Sequence, residues 1–109
     1  MAAGPLGEFE VVILLAVLQT APTAYGTAIR DEITARSGRL PSRGSVYVTL
    51  DRLAAKGYLR SSLGDATAER GGRPRRFYEV TRRGMAALRD SLSVVSSMRK
   101  GLESVLGPS

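Results

Sequence analysis

The spacing of apolar residues changes along the chain, and the first segment is almost continuously apolar. It spans Gly7–Thr20 and contains eight apolar residues in a row, Val11–Leu18. Periodicity alone does not separate a buried helix from a buried strand, and Val-Val-Ile leans towards strand. The length favours a helix, and Glu8 and Glu10 suit the positive end of a helix dipole. We therefore predict a first helix that is buried on most of its circumference.

The next two segments have helical spacing. Apolar side chains in Tyr25–Ser37 recur every three or four residues, and Gly38 is placed to end that helix. Gly57 supplies a stop for a third helix over Ser42–Lys56. The apolar residues of this third helix share one face: Val46, Leu50, Leu53 and Ala54.

A β-hairpin is predicted after the third helix. Its strands are Tyr58–Leu63 and Arg75–Val80, the second of which alternates in the manner of a strand. The loop between them, Gly64–Pro74, has eleven residues. Hairpin loops are usually shorter, so this loop is expected to be functional or disordered rather than tightly packed.

A long helix is predicted to end the chain, with Thr81 as its N-cap. Over Thr81–Leu106 it would be about 39 Å long. A body of about 80 residues does not cover so long an apolar stripe, so part of the stripe is expected to meet a second chain. Gly101 is a place where the helix would stop or kink. The stripe consists of Met85, Leu88, Leu92, Val95, Leu102 and Leu106.

Basic residues are concentrated in one part of the chain, whose net charge is +6. Eleven of the sixteen lysines and arginines lie in Arg39–Arg83 with four acidic residues, so this window alone carries +7. Such a concentration is expected of a surface that faces a polyanion. The predicted order of elements, three helices, a hairpin with a basic loop and a last helix, is that of a winged helix-turn-helix.

Residue types exclude several classes of function. The chain has neither cysteine nor histidine, which rules out disulfides, thiolate catalysis, histidine-containing triads and the usual zinc sites. Its ten acidic residues are scattered and mostly lie beside basic ones, which gives no support to a carboxylate metal site. We therefore expect no enzymatic activity, no catalytic residue, no metal and no cofactor.

No targeting or membrane segment is expected. The apolar run Val11–Leu18 is far shorter than the roughly 20 residues that span a bilayer. The acidic residues before it have the wrong sign for the start of a signal peptide. The default prediction is a cytoplasmic protein.

Several separate motifs resemble the PadR family of bacterial transcriptional regulators. They occur in family-like order and spacing over roughly Leu6–Leu92, and the short chain with one C-terminal helix resembles the short branch of that family. The motifs are Leu6–Glu10, Ala24–Gly26, Ser45–Leu53 followed by Lys56–Leu59, Glu69–Arg73 and Phe77–Gly84. The resemblance and the pattern together predict a mostly α fold with a small β-hairpin (α+β). Its expected parts are a flexible N-terminus (1–6), a winged helix-turn-helix DNA-binding domain (7–83) and a C-terminal dimerisation helix (81–106).

The predicted DNA-binding residues lie on the third helix and on the hairpin loop, or wing. Arg43 suits a bidentate contact with guanine, and Val48 suits a thymine methyl group. Tyr47 and Thr49 lie on the flanks, where they could reach phosphates, while Tyr47 could equally be half-buried and Arg52 could pair with Asp51. The wing arginines would follow a minor groove or its phosphates. The full set is Ser42, Arg43, Ser45, Tyr47, Val48, Thr49, Arg52, Arg70, Gly72, Arg73, Arg75 and Arg76.

The resemblance also implies a homodimer joined through the last and first helices. The alternative is that the last helix simply packs back on Val11–Leu18. A two-fold dimer presents two recognition helices to half-sites about one helical turn apart, so the operator should be pseudo-palindromic. The predicted interface residues are Phe9, Val12, Met85, Leu88, Leu92 and Val95.

The predicted function is a sequence-specific transcriptional regulator that binds double-stranded DNA, with repression as the usual family role. Some family members release DNA when a small hydrophobic effector binds between the subunits. The absence of tryptophan leaves such a pocket unsupported by this sequence. The alternative function is a winged-helix module for protein interaction or RNA binding, but the deep, narrow major groove of RNA would not admit the third helix.

Overall fold

A computed structural model of the chain describes residues 5–64 and 75–108. The predicted order of three helices, a hairpin and a longer helix is the observed one. In these ranges the elements are α1 (Glu8–Thr20), α2 (Gly26–Ser37), α3 (Arg43–Ala55), β1 (Leu59–Leu63), β2 (Arg76–Val80), α4 (Arg82–Arg99) and α5 (Glu103–Leu106).

Helix α1 supplies the centre of the hydrophobic core. Leu15 and Leu18 are partly exposed, so the helix is buried on most sides but not all. The other two helices of the first half pack their apolar faces on it, which removes the largest apolar side chains from water. The fully buried residues among these are Ile13, Leu14, Val17, Ile29, Val46, Leu50 and Leu53.

Helix α3 has well-formed ends. At its start the Ser42 hydroxyl accepts a hydrogen bond of 3.0 Å from the Ser45 amide, which satisfies one of the free N–H groups of the first turn. At its end Gly57 has a φ of 81°, a left-handed conformation that suits glycine. The Tyr58 amide then donates to the carbonyl of Leu53 at 2.9 Å. Both ends lie where the sequence predicts them.

The hairpin is antiparallel, with Leu59 opposite Val80 and Leu63 opposite Arg76. Both strands start one residue later than predicted. The Tyr78 amide donates to the carbonyl of Ala24 at 2.8 Å, so the hairpin is also tied to the segment before α2.

Thr81 connects the hairpin to α4. Its hydroxyl donates to the Gly57 carbonyl at 2.6 Å and accepts from the Gly84 amide at 3.1 Å, as expected of an N-cap. A Cβ atom at Gly84 would clash with the carbonyl oxygen of Tyr58. The first turn of α4 therefore approaches the backbone just before β1 closely, because position 84 has no side chain.

The C-terminal helix differs from the predicted one. Helix α4 ends at Arg99, and the single turn α5 follows after Gly101, which has a φ of 86°. The predicted helix to Leu106 is therefore two helices, and the break lies at the glycine named as a weak point. At the other end, residues 1–4 lie outside the described residues, and Leu6 packs against the core. The N-terminal segment is thus anchored earlier than the predicted boundary at residue 6.

A largely buried ion pair joins the start of α1 to the end of α3. The Lys56 ammonium donates to the Glu10 carboxylate at 2.8 Å, and the Gly7 amide donates to the same carboxylate at 2.9 Å. Glu10 is only 8% exposed. Burial raises the pKa of Glu10, but the bonds from Lys56 and Gly7 and the nearby positive charge of Arg52 together lower it by more. The net pKa therefore lies below the ordinary glutamate value.

We expect Glu10→Gln to lower the free energy of unfolding by about 1–2 kcal/mol at pH 7, because a charged hydrogen bond is lost. A carboxyl group with a lowered folded pKa stabilises the fold above its unfolded pKa, about 4.3 for glutamate. That contribution is lost as the pH falls through the lower folded value. Urea unfolding between pH 7 and about pH 3 should therefore show wild type and variant converging in acid.

Glu8→Gln is the matched control, since Glu8 pairs with Arg39 at 2.8 Å but both groups are largely exposed. Its loss of stability should be smaller than that of Glu10→Gln. Equal losses, or a difference between wild type and Glu10→Gln that is as large at pH 3 as at pH 7, would contradict the role given to the buried pair.

Candidate nucleic-acid interface

The outward face of α3 is polar and open to solvent. Val46 and Leu50 are buried on the inner face, which turns the opposite side of the helix outwards. Six of the seven residues predicted to bind DNA from α3 and its N-cap are exposed: Ser42, Arg43, Ser45, Tyr47, Val48 and Arg52. The helical spacing read from the sequence thus leaves these six residues open to solvent.

The two arginines of this face are available to an outside ligand. Within the described ranges neither Arg43 nor Arg52 forms an ion pair, and the Arg52–Asp51 pairing considered above is not formed there. Arg43 also borders a small cleft of about 80 Å³ between α3 and the start of α2. The cleft is lined by Gly26, Thr27, Arg30, Arg43, Val46 and Tyr47.

Tyr47 is held against the start of α2. It is 39% exposed, and a Cβ atom at Gly26 would clash with its ring and hydroxyl. The partial burial considered for Tyr47 is therefore present, because one side of its ring is covered, and its contact with phosphate stays a prediction. Sequence reasoning missed the part that Gly26 plays in placing this ring. The Ala24–Gly26 motif was the signal for it.

Thr49 does not lie on the surface. It is 6% exposed and sits among the inward-facing residues of α3, so the predicted phosphate contact is wrong for this conformation. The error came from its place on the flank of the helix, where packing by neighbouring elements decides exposure.

Tyr78 is also buried, and burial together with the nearby Asp51 carboxylate raises the pKa of its hydroxyl.

The residues predicted to bind DNA from the wing fall into three groups. Arg70, Gly72 and Arg73 lie outside the described residues. Arg76 is exposed, and its Nη1 donates to the Ser61 hydroxyl at 3.0 Å. Arg75 is half-buried, and its guanidinium lies over the ring of Tyr25 at 4.0 Å from the ring centre. Arg75 is therefore placed differently from the solvent-facing residue that the sequence suggests.

Further basic residues lie near the hairpin. Arg82 and Arg83 are exposed at the start of α4, and the Arg83 guanidinium is 5.8 Å from the ring centre of Tyr58. Arg60 pairs with Glu79 across the strands at 2.9 Å. The positive charge of the hairpin is thus partly neutralised on β1, while Arg43, Arg52 and Arg76 form no ion pair with any other described residue.

The predicted dimer residues are split between the core and the surface. Leu92 and Val95 are exposed, Val95 by 58%, whereas Phe9, Val12 and Met85 are half-buried. Leu88 is 2% exposed and belongs to the core of its own chain, so its predicted place on a dimer surface is wrong. The exposed part of α4 borders an open groove of about 640 Å³, whose other wall includes Leu6 and Val11.

Among residues 5–64 and 75–108, no cluster of three or more acidic side chains could hold a metal ion. In the same ranges, every helix is too short or too polar to cross a membrane.

Comparison with known proteins identifies the family. Residues 14–90 match the transcriptional regulator PadR-like family. No significant match was found among curated proteins. Three solved structures from different organisms are similar to this chain. Each is less than 25% identical, so each shows similarity of fold.

A PadR-like transcriptional regulator from Bacillus cereus is 20% identical over 93% of each chain, with a TM-score of 0.72. A PadR family regulator from Eggerthella lenta is 23% identical over 94% of this chain and 88% of its own, with a TM-score of 0.69. A PadR family regulator from Clostridium difficile is 23% identical over 89% of this chain and 98% of its own, with a TM-score of 0.67. The predicted winged-helix fold is confirmed by these likenesses, and the family match covers most of the chain. The chain therefore belongs to the PadR-like family of transcriptional regulators.

Proposed function

We propose that this PadR-like regulator is a homodimeric repressor that binds a pseudo-palindromic DNA operator. The observation that carries the proposal is the outward face of α3. It is exposed, its arginines form no ion pair with other residues in 5–64 and 75–108, and a buried inner face fixes it in place. Repression would follow from occupying an operator that overlaps a promoter, which is the usual role in the family that the sequence resembles. Its action would be in the cytoplasm, where the chromosome lies.

Helix α3 has the properties of a recognition helix. The major groove of B-DNA, about 12 Å wide, admits one α-helix and displays a distinct pattern for each base pair. Arg43 suits guanine, and Val48 offers an apolar contact to a thymine methyl group. The hydroxyls of Ser42 and Ser45 are already used in capping, so their contacts with DNA would be secondary. The residues proposed to face DNA are Ser42, Arg43, Ser45, Tyr47, Val48 and Arg52.

The hairpin would contact the DNA backbone beside the recognition helix. Arg76 is the exposed arginine at the start of β2. Arg70, Gly72 and Arg73 are proposed on the sequence alone. Contacts of this kind with phosphates fix the position of a protein on DNA but carry little base specificity.

A second copy is the proposed occupant of the groove beside α4. The second half of α4 projects beyond the core, and Leu92 and Val95 are exposed there, with Val94 and Met98 on adjoining positions. So many neighbouring apolar side chains are unusual on the surface of a monomer. Because α4 of one chain could lie in the groove of the other, the same contact would cover both stripes. A small hydrophobic effector would compete for this groove and is not part of the proposal.

The function is tested by fluorescence anisotropy with the DNA upstream of the chain's own gene and with a shuffled fragment, at several salt concentrations. Binding to the upstream DNA should be about 10³-fold tighter than to the shuffled control and should weaken as salt rises. Equal binding to both fragments would contradict sequence-specific regulation at this operator. No binding to either fragment by a folded dimer would favour a protein or RNA partner.

Arg43→Ala should weaken operator binding by about 10- to 100-fold, since a bidentate contact to guanine contributes about 1–3 kcal/mol of discrimination. It should also relax specificity at one base pair in each half-site, which a panel of single-base operator variants would measure. Arg89→Ala is the matched control, because Arg89 is exposed on α4. An equal loss in both variants would mean that Arg43 contributes only general positive charge.

Leu92→Asp should convert the dimer to a monomer, because a charge would have to be buried in an apolar contact. Sedimentation velocity at micromolar concentration gives the mass of each species. Ser93→Asp is the control, since position 93 is exposed and lies about 160° around the helix from Val95 and about 100° from both Leu92 and Val94. A wild-type monomer, or an intact Leu92→Asp dimer, would overturn the proposed interface.

A further inference from the structure

Arg75 lies at the base of the wing, with its side chain turned onto the fold. Its guanidinium carbon is 4.0 Å from the centre of the Tyr25 ring, a distance at which a cation over an aromatic face is attracted. The Nε atom is buried and has no hydrogen-bond partner among the described residues. An arginine placed to contact a phosphate would direct its N–H groups outwards, and this one does so only in part.

Tyr25 is itself fixed from two sides. Its ring meets that of Phe77 edge to face, with 5.9 Å between centres and an angle of 81°. The backbones of the same two residues form a bridge, and the next residue, Tyr78, donates to the Ala24 carbonyl. The ring under Arg75 is therefore part of the rigid junction between α2 and β2.

The other end of the wing loop meets the same cluster. The Gly64 amide donates to the Arg75 carbonyl at 2.6 Å. A Cβ atom at Gly64 would clash with the ring of Phe77. Both residues at which the loop leaves the hairpin are thus in contact with each other, and each touches an aromatic ring of the junction.

From this arrangement we infer that Arg75 is a positioning residue of the wing rather than one of its phosphate contacts. By stacking on Tyr25 it holds the base of the hairpin against α2, so that Arg76 meets DNA in a single orientation. The inference deepens the proposed function and rests on it for the DNA contact. It also replaces the role that the sequence suggested for Arg75.

A phosphate contact and a positioning role for Arg75 predict different effects of Arg75→Ala on DNA binding when the Tyr25 ring is absent. If Arg75 contacted a phosphate, Arg75→Ala would weaken DNA binding equally in wild type and in Tyr25→Leu. If Arg75 acts through the stack, the effect should disappear once the ring is absent. Arg75→Met separates charge from packing, because a thioether also packs well on an aromatic ring but carries no charge.

DNA affinity should be measured by anisotropy for Arg75→Ala, Tyr25→Leu, the double variant and Arg75→Met, on the operator fragment. Each of the first two should weaken binding by about three- to tenfold. The double variant should bind DNA no more than about twofold more weakly than whichever single variant has the lower affinity. The affinity of Arg75→Met should stay within about twofold of wild type. Additive losses, or Arg75→Met as weak as Arg75→Ala, would overturn the inference.

A second measurement needs no DNA. In the free protein, Arg75 and Tyr25 should be coupled in the folding equilibrium by about two- to fivefold, measured by urea unfolding of wild type, Arg75→Ala, Tyr25→Leu and the double variant. Arg76→Ala is the matched control and should show no coupling with Tyr25→Leu. Additive effects of Arg75 and Tyr25 would refute the stack. Coupling in a protein that binds no DNA would instead refute the proposed function and leave the stack in place.

Discussion

Burial of the inner face of α3 against α1 is the interaction on which the rest of the structure depends. Val46, Leu50 and Leu53 enter one core with Ile13 and its neighbours on α1, and this packing decides which side of α3 faces solvent. Loss of a buried leucine of this kind usually costs about 2–5 kcal/mol. Buried apolar residues on the inner face of α3 therefore set the outward direction that Arg43 and Arg52 share.

Backbone contacts then orient the hairpin and α4 on that core. The Tyr78–Ala24 hydrogen bond ties β2 to the entry of α2, and the Thr81 hydroxyl ties the entry of α4 to the turn after α3. Gly84 permits the close approach at this second junction. Since these contacts are short and directional, they hold the two strands, α3 and the start of α4 in one frame.

Helix α4 serves two environments along its length. Its first half contributes Leu88 to the core, whereas Leu92 and Val95 of its second half are exposed beside an open groove. The change occurs within about one turn because the body of the domain ends there. The apolar stripe of α4 extends beyond the part of the helix that packs on the core, and this is the physical reason for expecting a second chain. In the proposed dimer, that contact would set the spacing of the two α3 helices.

Sequence alone determined the element types and the inward and outward faces of α3, because periodicity, caps and glycine act within a few residues. It marked Gly101 as a weak point but did not establish that the helix ends before it. Tertiary structure decided the burial of Thr49 and Leu88 and the turning of Arg75 onto Tyr25. It also decided the pairing of Glu10 with Lys56, forty-six residues apart. These depend on which surfaces meet after the chain has folded, and no local pattern records that. The PadR-like motifs supplied the family and the partner, while packing determined which of the predicted residues are free to reach it.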